Sequence, residues 1–389
     1  MFCLTEKLYD IDSHLREFSA HVVSCRREGE RYAVVLSRTA FFPEGGGQAA
    51  DTCTLGEARV LDVRLWGDQV EHLTDAPVPE GSRVRCSLDW DRRFRRMQEH
   101  SGEHIISGTV HRLYGYDNVG FHMGESGVTI DFSGELSDEQ LTHVEAVANL
   151  TVWRNLPVRT GYPSPEELRS IDYRSKKELD GPVRLVYIEG VDCCACCAPH
   201  VYTTGEIGVI KLLSAERHRG GMRLTAVCGA DALEDYRTRQ VCTREISNLL
   251  SVPQLETPAA VRRLLGETEE LKRRLVEAQR EALRCRVAAL PQTQGALCLF
   301  EGELDGVSQR ETVNAGMERS AVCALFVGAE GDWKYIIGSK ETDLRAAAKA
   351  INAAISGRGG GSPTMIQGSA AATRADIEAY FAHWGEETE

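Results

Sequence analysis

Two short clusters hold the side chains best suited to chemistry: His100-Ser101-Gly102-Glu103-His104 and Cys196-Cys197-Ala198-Pro199-His200. The first lies in RRMQEHSGEHIISGTVHRLYG, a segment that reads as a helix from about Arg92 to Tyr114. A spacing of four residues is one helical turn, so His100 and His104 share a face and can grip one metal ion. The second cluster adds a thiolate and a third imidazole, His200, from an irregular segment. Three nitrogens and one sulfur suit zinc better than any other common metal. Four thiols compete for the sulfur position in Cys193-Cys194-Ala195-Cys196-Cys197. Register with His200 favours Cys196, with Cys194 and Cys197 as substitutes. Such a set fits metal-assisted hydrolysis or, with four protein ligands closing the shell, a structural zinc. Glu103 lies roughly 100° around the helix from His104, which predicts a place on the surface or behind the ligands.

The bounds on the whole chain agree with a cytoplasmic enzyme. Its 389 residues allow two or three domains, each with its own core. There is no run of eighteen apolar residues, and MFCLTEKLYDIDSHLREFSA is too charged for a signal peptide. Thirteen cysteines, several adjacent, fit a reducing compartment rather than a disulfide framework. A net charge of −13 argues against indiscriminate nucleic-acid binding. It leaves room for one local basic surface, and Arg92, Arg93, Arg95 and Arg96 beside the histidine helix are the best patch.

The elements that must position these groups change character along the chain. Over residues 1–88, runs such as RYAVVLSRT and ARVLDVRLWG alternate apolar and polar residues between turn residues, which predicts antiparallel strands in a small barrel. Residues 89–235 mix helices and strands in an α+β domain. Ser137 with Gln140, and Ser164 with Glu167 behind Pro165, form capping boxes that open two of its helices. Residues 236–290 read as a helical linker. Val261, Leu264, Leu265, Leu271 and Leu275 recur there at helical spacing, a stripe that needs a partner helix within the chain or in a second copy, and Pro291 ends it. Residues 291–389 read as a separate α/β domain containing the glycine-rich loop GRGGGSPTMIQGSAA.

A second glycine-rich loop, FFPEGGGQAAD, sits in the barrel region. Gly45, Gly46 and Gly47 let its backbone approach a partner closely, and Gln48 can donate and accept hydrogen bonds there. Neither loop matches a phosphate-binding fingerprint, so no nucleotide cofactor is implied, and no Ser-His-Asp arrangement is readable.

HSGEH, CCAPH and FFPEGGGQAAD together resemble the signatures of the AlaX proteins and of the editing domain of alanyl-tRNA synthetase. The resemblance covers essentially the whole chain, and the tail GRGGGSPTMIQGSAA resembles the DHH-associated domain. It implies a freestanding, large-type AlaX protein that uses zinc to deacylate mischarged alanine tRNA. It also implies His100, His104, Cys196 and His200 as ligands, and Gln48 at the reacting end with the glycine loop as substrate contact. VGFHMGESGVTIDF resembles the family's pocket strands, which places His122, Thr129 and Asp131 on the pocket wall. The second motif usually reads Cys-Gly-Gly-Thr-His. Here Pro199 before His200 resembles the editing domain of threonyl-tRNA synthetase, so the tRNA stays open between alanine and threonine.

An aminoacyl ester is already activated, so such a site must mainly orient water and stabilise a developing oxyanion. With four protein ligands, zinc is expected to anchor substrate while neighbouring groups activate water. A pocket that hydrogen-bonds serine's hydroxyl rejects alanine strongly. Two other readings remain: a zinc-stabilised tRNA-binding protein without hydrolysis, and a zinc hydrolase of small esters or amides.

Overall fold

The alternating strands of the N-terminal region do not end in open edges. The computed structural model describes residues 5–67, 69–124, 127–175, 181–290 and 292–385. It divides into two compact units, Met1–Glu245 and Ile246–Glu389. In the first, the six strands Glu17–Glu28, Arg31–Leu36, Gln69–Thr74, Ala58–Trp66, Cys53–Leu55 and Arg83–Leu88 pair in that order and close into a barrel. Closure requires the long strand Glu17–Glu28 to pair with Arg31–Leu36 through one half and with Arg83–Leu88 through the other. The inward residues Val22, Val34, Leu36, Phe41, Val63 and Val70 fill its core. The glycine-rich segment leaves the barrel just before Cys53–Leu55.

The histidine helix runs from Trp90 to Tyr114, two residues earlier than its sequence indicates, because Asp89 caps it by accepting the Arg92 N–H. Gly115, at φ 71°, closes its other end. Residues Met97–Val110 are buried without interruption. A four-stranded antiparallel sheet in the order Ile210–His218, Gly221–Cys228, Gly127–Phe132 and Asn118–Gly124 packs on the helix. Helix Asp138–Trp153 and strand Asp192–Ala195 also pack on it. Both expected capping boxes form, at Ser137–Gln140 and at Ser164–Glu167, with Pro165 opening its helix.

The second unit carries the long helix Thr257–Ala289 and a five-stranded sheet in the order Thr293–Glu301, Ser320–Ala329, Asp332–Ser339, Met365–Ala370 and Gly357–Gly361. Helical structure begins at Gly229 rather than Tyr236. Pro291, expected to end the long helix, lies outside the described residues, and the helix ends at Ala289. Leu264, Leu265, Leu271 and Leu275 are exposed along it, whereas Leu283 and Val287 are buried. The expected loop at Gly357–Gly361 is instead a strand, paired antiparallel with Met365–Ala370. Glycine is needed there because a side chain on Gly359 would fall 2.3 Å from the Tyr335 hydroxyl. No helix among the described residues is long and apolar enough to cross a membrane.

Two helical glycines should respond oppositely to alanine. A Cβ on Gly108 would lie 2.5 Å from the Val191 carbonyl oxygen, whereas one on Gly266 meets nothing within 4 Å. Gly108→Ala should destabilise by about 1–3 kcal/mol, and Gly266→Ala should stabilise by up to about 1 kcal/mol. Chemical denaturation of both variants checks the signs, and equal shifts would contradict the packing described.

Candidate metal centre

His100, His104, Cys196 and His200 converge so that their ligand atoms lie within 4.8 Å of one another. The three rings sit with centroids 4.7–5.5 Å apart, and the Cys196 sulfur is 3.5 Å from His100 Nε2. Each ring is anchored through Nδ1. That of His100 meets Gln48 Oε1 at 3.1 Å, that of His104 meets Asp192 Oδ2 at 2.9 Å, and that of His200 meets Ser101 Oγ at 3.0 Å. An amide oxygen and a carboxylate only accept, so His100 and His104 keep a proton on Nδ1 and turn Nε2 inward, the nitrogen a metal would take. Arg174 holds Asp192 in turn, through Nε at 2.7 Å and Nη2 at 2.9 Å.

Without a metal, the buried thiol and the imidazoles around it stabilise one another's charged forms. Burial opposes the Cys196 thiolate, but the charge of His100 and hydrogen bonds to His100 and His104 outweigh it and hold the thiol well below its usual value. Burial also opposes charge on His104, yet its bonds to Asp192 and Cys196 raise it well above the ordinary imidazole range. Burial drives His200 down to about 3, which keeps its imidazole neutral. His200 Nε2 is buried without a conventional hydrogen-bond partner among the described residues. Such an orphaned nitrogen facing a polarised thiol is what a bound cation would satisfy, and the N₃S donor set fits zinc. A second possible group, His104 with Asp192 and Cys194, shares His104. Its Asp192 is already engaged by His104 Nδ1 and Arg174.

The barrel loop lies directly over this centre. Side-chain carbons on Gly45 and Gly46 would fall 3.6 Å and 3.5 Å from the Cys197 sulfur, and one on Gly46 would fall 3.9 Å from the His100 ring. Gly47 has φ +83°, and its Cβ would be 2.6 Å from the Phe121 ring. Gln48 is buried, and its Nε2 has no hydrogen-bond partner among the described residues.

Residues 183–224 match the family described as the threonyl and alanyl tRNA synthetase second additional domain. The chain is 28% identical to "Alanyl-tRNA editing protein Aarsd1" of Rattus norvegicus, over 95% of both chains. It is 31% identical to "Alanine--tRNA ligase" of Methanopyrus kandleri over 94% of its own length but 42% of the ligase. The corresponding ligase of Natronomonas pharaonis is 32% identical, with 39% of its length covered. Along nearly its whole length the chain is thus similar to an alanyl-tRNA editing protein and to under half of alanine--tRNA ligases.

Three residues expected on the AlaX pocket wall face away from the metal centre. In the strand pair Asn118–Gly124 and Gly127–Phe132, His122 pairs with Thr129 and Gly120 with Asp131, while Phe121 pairs with Ile130. Phe121 rests on His100 with centroids 5.0 Å apart, so the alternating partners His122, Thr129 and Asp131 lie on the sheet's other face. Asp131 is bound there by Arg223, at 2.7 and 2.8 Å. Phe121, which sequence reasoning missed, takes the inner position.

Arg93 is no phosphate contact. It is fully buried, ion-pairs with Asp51, and donates to Ser13 O at 3.0 Å and Ala40 O at 2.7 Å. Seven residues before His100, it shares the interior face of the helix. Arg92, Arg95 and Arg96 line one open groove together with Asp89, Asp91 and Asp231, and Arg95 pairs with Asp231. Glu103 is not on the surface either. It is buried, accepts hydrogen bonds from Ser107 Oγ and Asn118 Nδ2, and lies 3.9 Å from His104 Nε2. The helix has no solvent face at that level for a carboxylate to occupy.

Because Asp192 fixes the His104 ring, Asp192→Asn should weaken metal binding by about 10- to 100-fold. Competition against a chromophoric chelator measures this, and unchanged affinity would remove Asp192 from the site.

Proposed function

We propose that this protein is a trans-editing hydrolase that removes the amino acid from mischarged tRNA, with seryl-tRNA for alanine preferred. The observation that carries this reading is the convergence of three Nδ1-anchored imidazoles and the Cys196 sulfur beneath a loop presenting Gln48. The similarity to the rat alanyl-tRNA editing protein supports it. His100, His104, Cys196 and His200 would hold zinc, which when bound supplies Lewis-acid polarisation of an acyl oxygen or an anchor for the substrate's amino and hydroxyl groups. Gln48 Nε2, buried and unpartnered among the described residues, is available to donate to the ester carbonyl where negative charge develops. Gly45, Gly46 and Gly47 give the aminoacyl end access to backbone. A site matched to serine's hydroxyl is left with an unpaired polar group by alanine, which spares alanyl-tRNA. Arg92, Arg95 and Arg96 are the candidate contacts to the acceptor arm.

The Cys197-Ala198-Pro199 departure favours a second substrate, seryl-tRNA for threonine. The reading also carries a cytoplasmic location, a DHH-associated domain over residues 291–389, and a homodimer joined along the exposed leucines of Thr257–Ala289. Light scattering at micromolar concentration should give twice the chain mass, and a strict monomer would remove the dimer.

Zinc-loaded protein should deacylate seryl-tRNA for alanine and spare alanyl-tRNA. Chelation or His104→Ala should abolish the reaction while tRNA binding persists. Arg92→Ala with Arg96→Ala should instead weaken binding and flatten its logarithmic salt dependence by about 1 for each phosphate no longer engaged. If seryl-tRNA for alanine and for threonine both remain intact, the hydrolase reading fails, and a tRNA-binding protein or small-ester hydrolase takes its place.

A further inference from the structure

The segment that carries Cys196 and His200 has no helix or strand of its own, so its shape is set by whatever grips its backbone. Arg184 does so, although it lies in none of the sequence motifs. Its side chain is 4% exposed. Its Nη1 donates to the carbonyl of Cys196 at 3.0 Å and to that of Ala198 at 2.9 Å. The Cys196 N–H donates back to the Arg184 carbonyl at 3.0 Å.

The charge of this guanidinium is balanced from the N-terminal segment, where Asp10 Oδ1 lies 3.4 Å from Nε. Asp10 is itself held by the Tyr162 hydroxyl at 3.0 Å. Ser13 of the same segment donates to the His200 carbonyl at 2.7 Å. Tyr9, Phe42 and Ala198 form a small apolar cluster against the loop. Burying a guanidinium is costly unless its charge is paired. Here Asp10 supplies the countercharge and two carbonyls accept from Nη1, while Nε has no hydrogen-bond partner among the described residues. Fixing the carbonyls of Cys196 and Ala198 fixes the backbone between them, and with it the direction of the Cys196 sulfur and the approach of the chain to His200.

We propose that Arg184, paired with Asp10, is a positioning residue for the metal centre. It holds the Cys196–His200 loop in the one shape that brings sulfur and imidazole to the face of the helix bearing His100 and His104. The inference rests on the metal reading under Proposed function.

Cobalt(II) titration of metal-free full-length protein tests it, followed by the thiolate-to-cobalt charge-transfer band and the d–d bands. Wild-type protein should show both. Arg184→Ala should bind cobalt at least about tenfold more weakly and lose most of the charge-transfer band, and added guanidinium should restore part of it. Arg184→Lys keeps the charge but lacks a planar fork to engage Asp10 and both carbonyls together, so it should fall between the two. A lysine variant with native circular dichroism, wild-type cobalt affinity and an unchanged charge-transfer band would overturn the proposal, even if the alanine variant does not fold. Wild-type protein without a charge-transfer band would instead overturn the metal reading itself, and this inference with it.

Discussion

Three imidazoles can point at one place only if none of them can rotate, and the centre is organised around that constraint. Each ring has one free torsion that matters, and in each case the nitrogen facing away from the centre is held. The holders come from different parts of the chain: Gln48 from the barrel loop, Ser101 from the ligand helix itself, and Asp192 from the strand beside it. The centre therefore requires barrel, helix and sheet to be docked in register before it exists. The buried Arg93–Asp51 pair supplies much of that docking, since Arg93 also binds the carbonyls of Ser13 and Ala40. Removing one partner of such a pair typically costs roughly 3–5 kcal/mol, because a lone charge is left in the interior.

The ligand helix is unusual in what it buries. Gln98, Glu99, His100, Ser101, Glu103, His104, Ser107 and Thr109 all lie in its buried middle. A polar group in such a place is tolerable only if it is hydrogen-bonded, and most are. Gln98 joins the Glu206 carbonyl and the Ala230 N–H, and Glu99 accepts from the Cys228 N–H. Burial raises Glu99 to about 8, so near neutral pH it is largely protonated rather than a lone interior charge. This interior gives up some hydrophobic stabilisation and gains directionality, because a hydrogen-bonded helix can be seated in only one rotation.

Local rules made the scaffold legible and non-local pairings hid much of the site. The four-residue spacing of His100 and His104, the two capping boxes and the alternation of strands such as Arg31–Leu36 depend on near neighbours, and all can be read from order alone. Whether an arginine next to a buried face turns in or out cannot. Arg93 sits among three others and differs only in meeting Asp51, which lies 42 residues earlier. The strand Asn118–Gly124 shows how fine the margin is. A shift of one position decides whether His122 or Phe121 faces the helix, and local sequence does not fix that phase. The tail Gly357–Gly361 misled for a different reason. Glycine signals a turn when read locally, and here it admits the Tyr335 hydroxyl and the partner strand to a crowded sheet edge.

The same crowding explains the barrel loop. Gly47 takes a left-handed backbone with its missing side chain aimed at Phe121, and a side-chain carbon on Gly45 or Gly46 would just reach van der Waals contact with Cys197. A side chain at Gly47 would run into the Phe121 ring, and the loop would have to shift, carrying Gln48 away from His100. Gly47 lets the chain pass close enough for a single amide to do two things at once. Its oxygen fixes the His100 ring, and its nitrogen is left in the buried space beside the three imidazoles with no partner among the described residues. Glycine permissiveness in the barrel and imidazole orientation on the helix are therefore one requirement, met from two sides of the same contact.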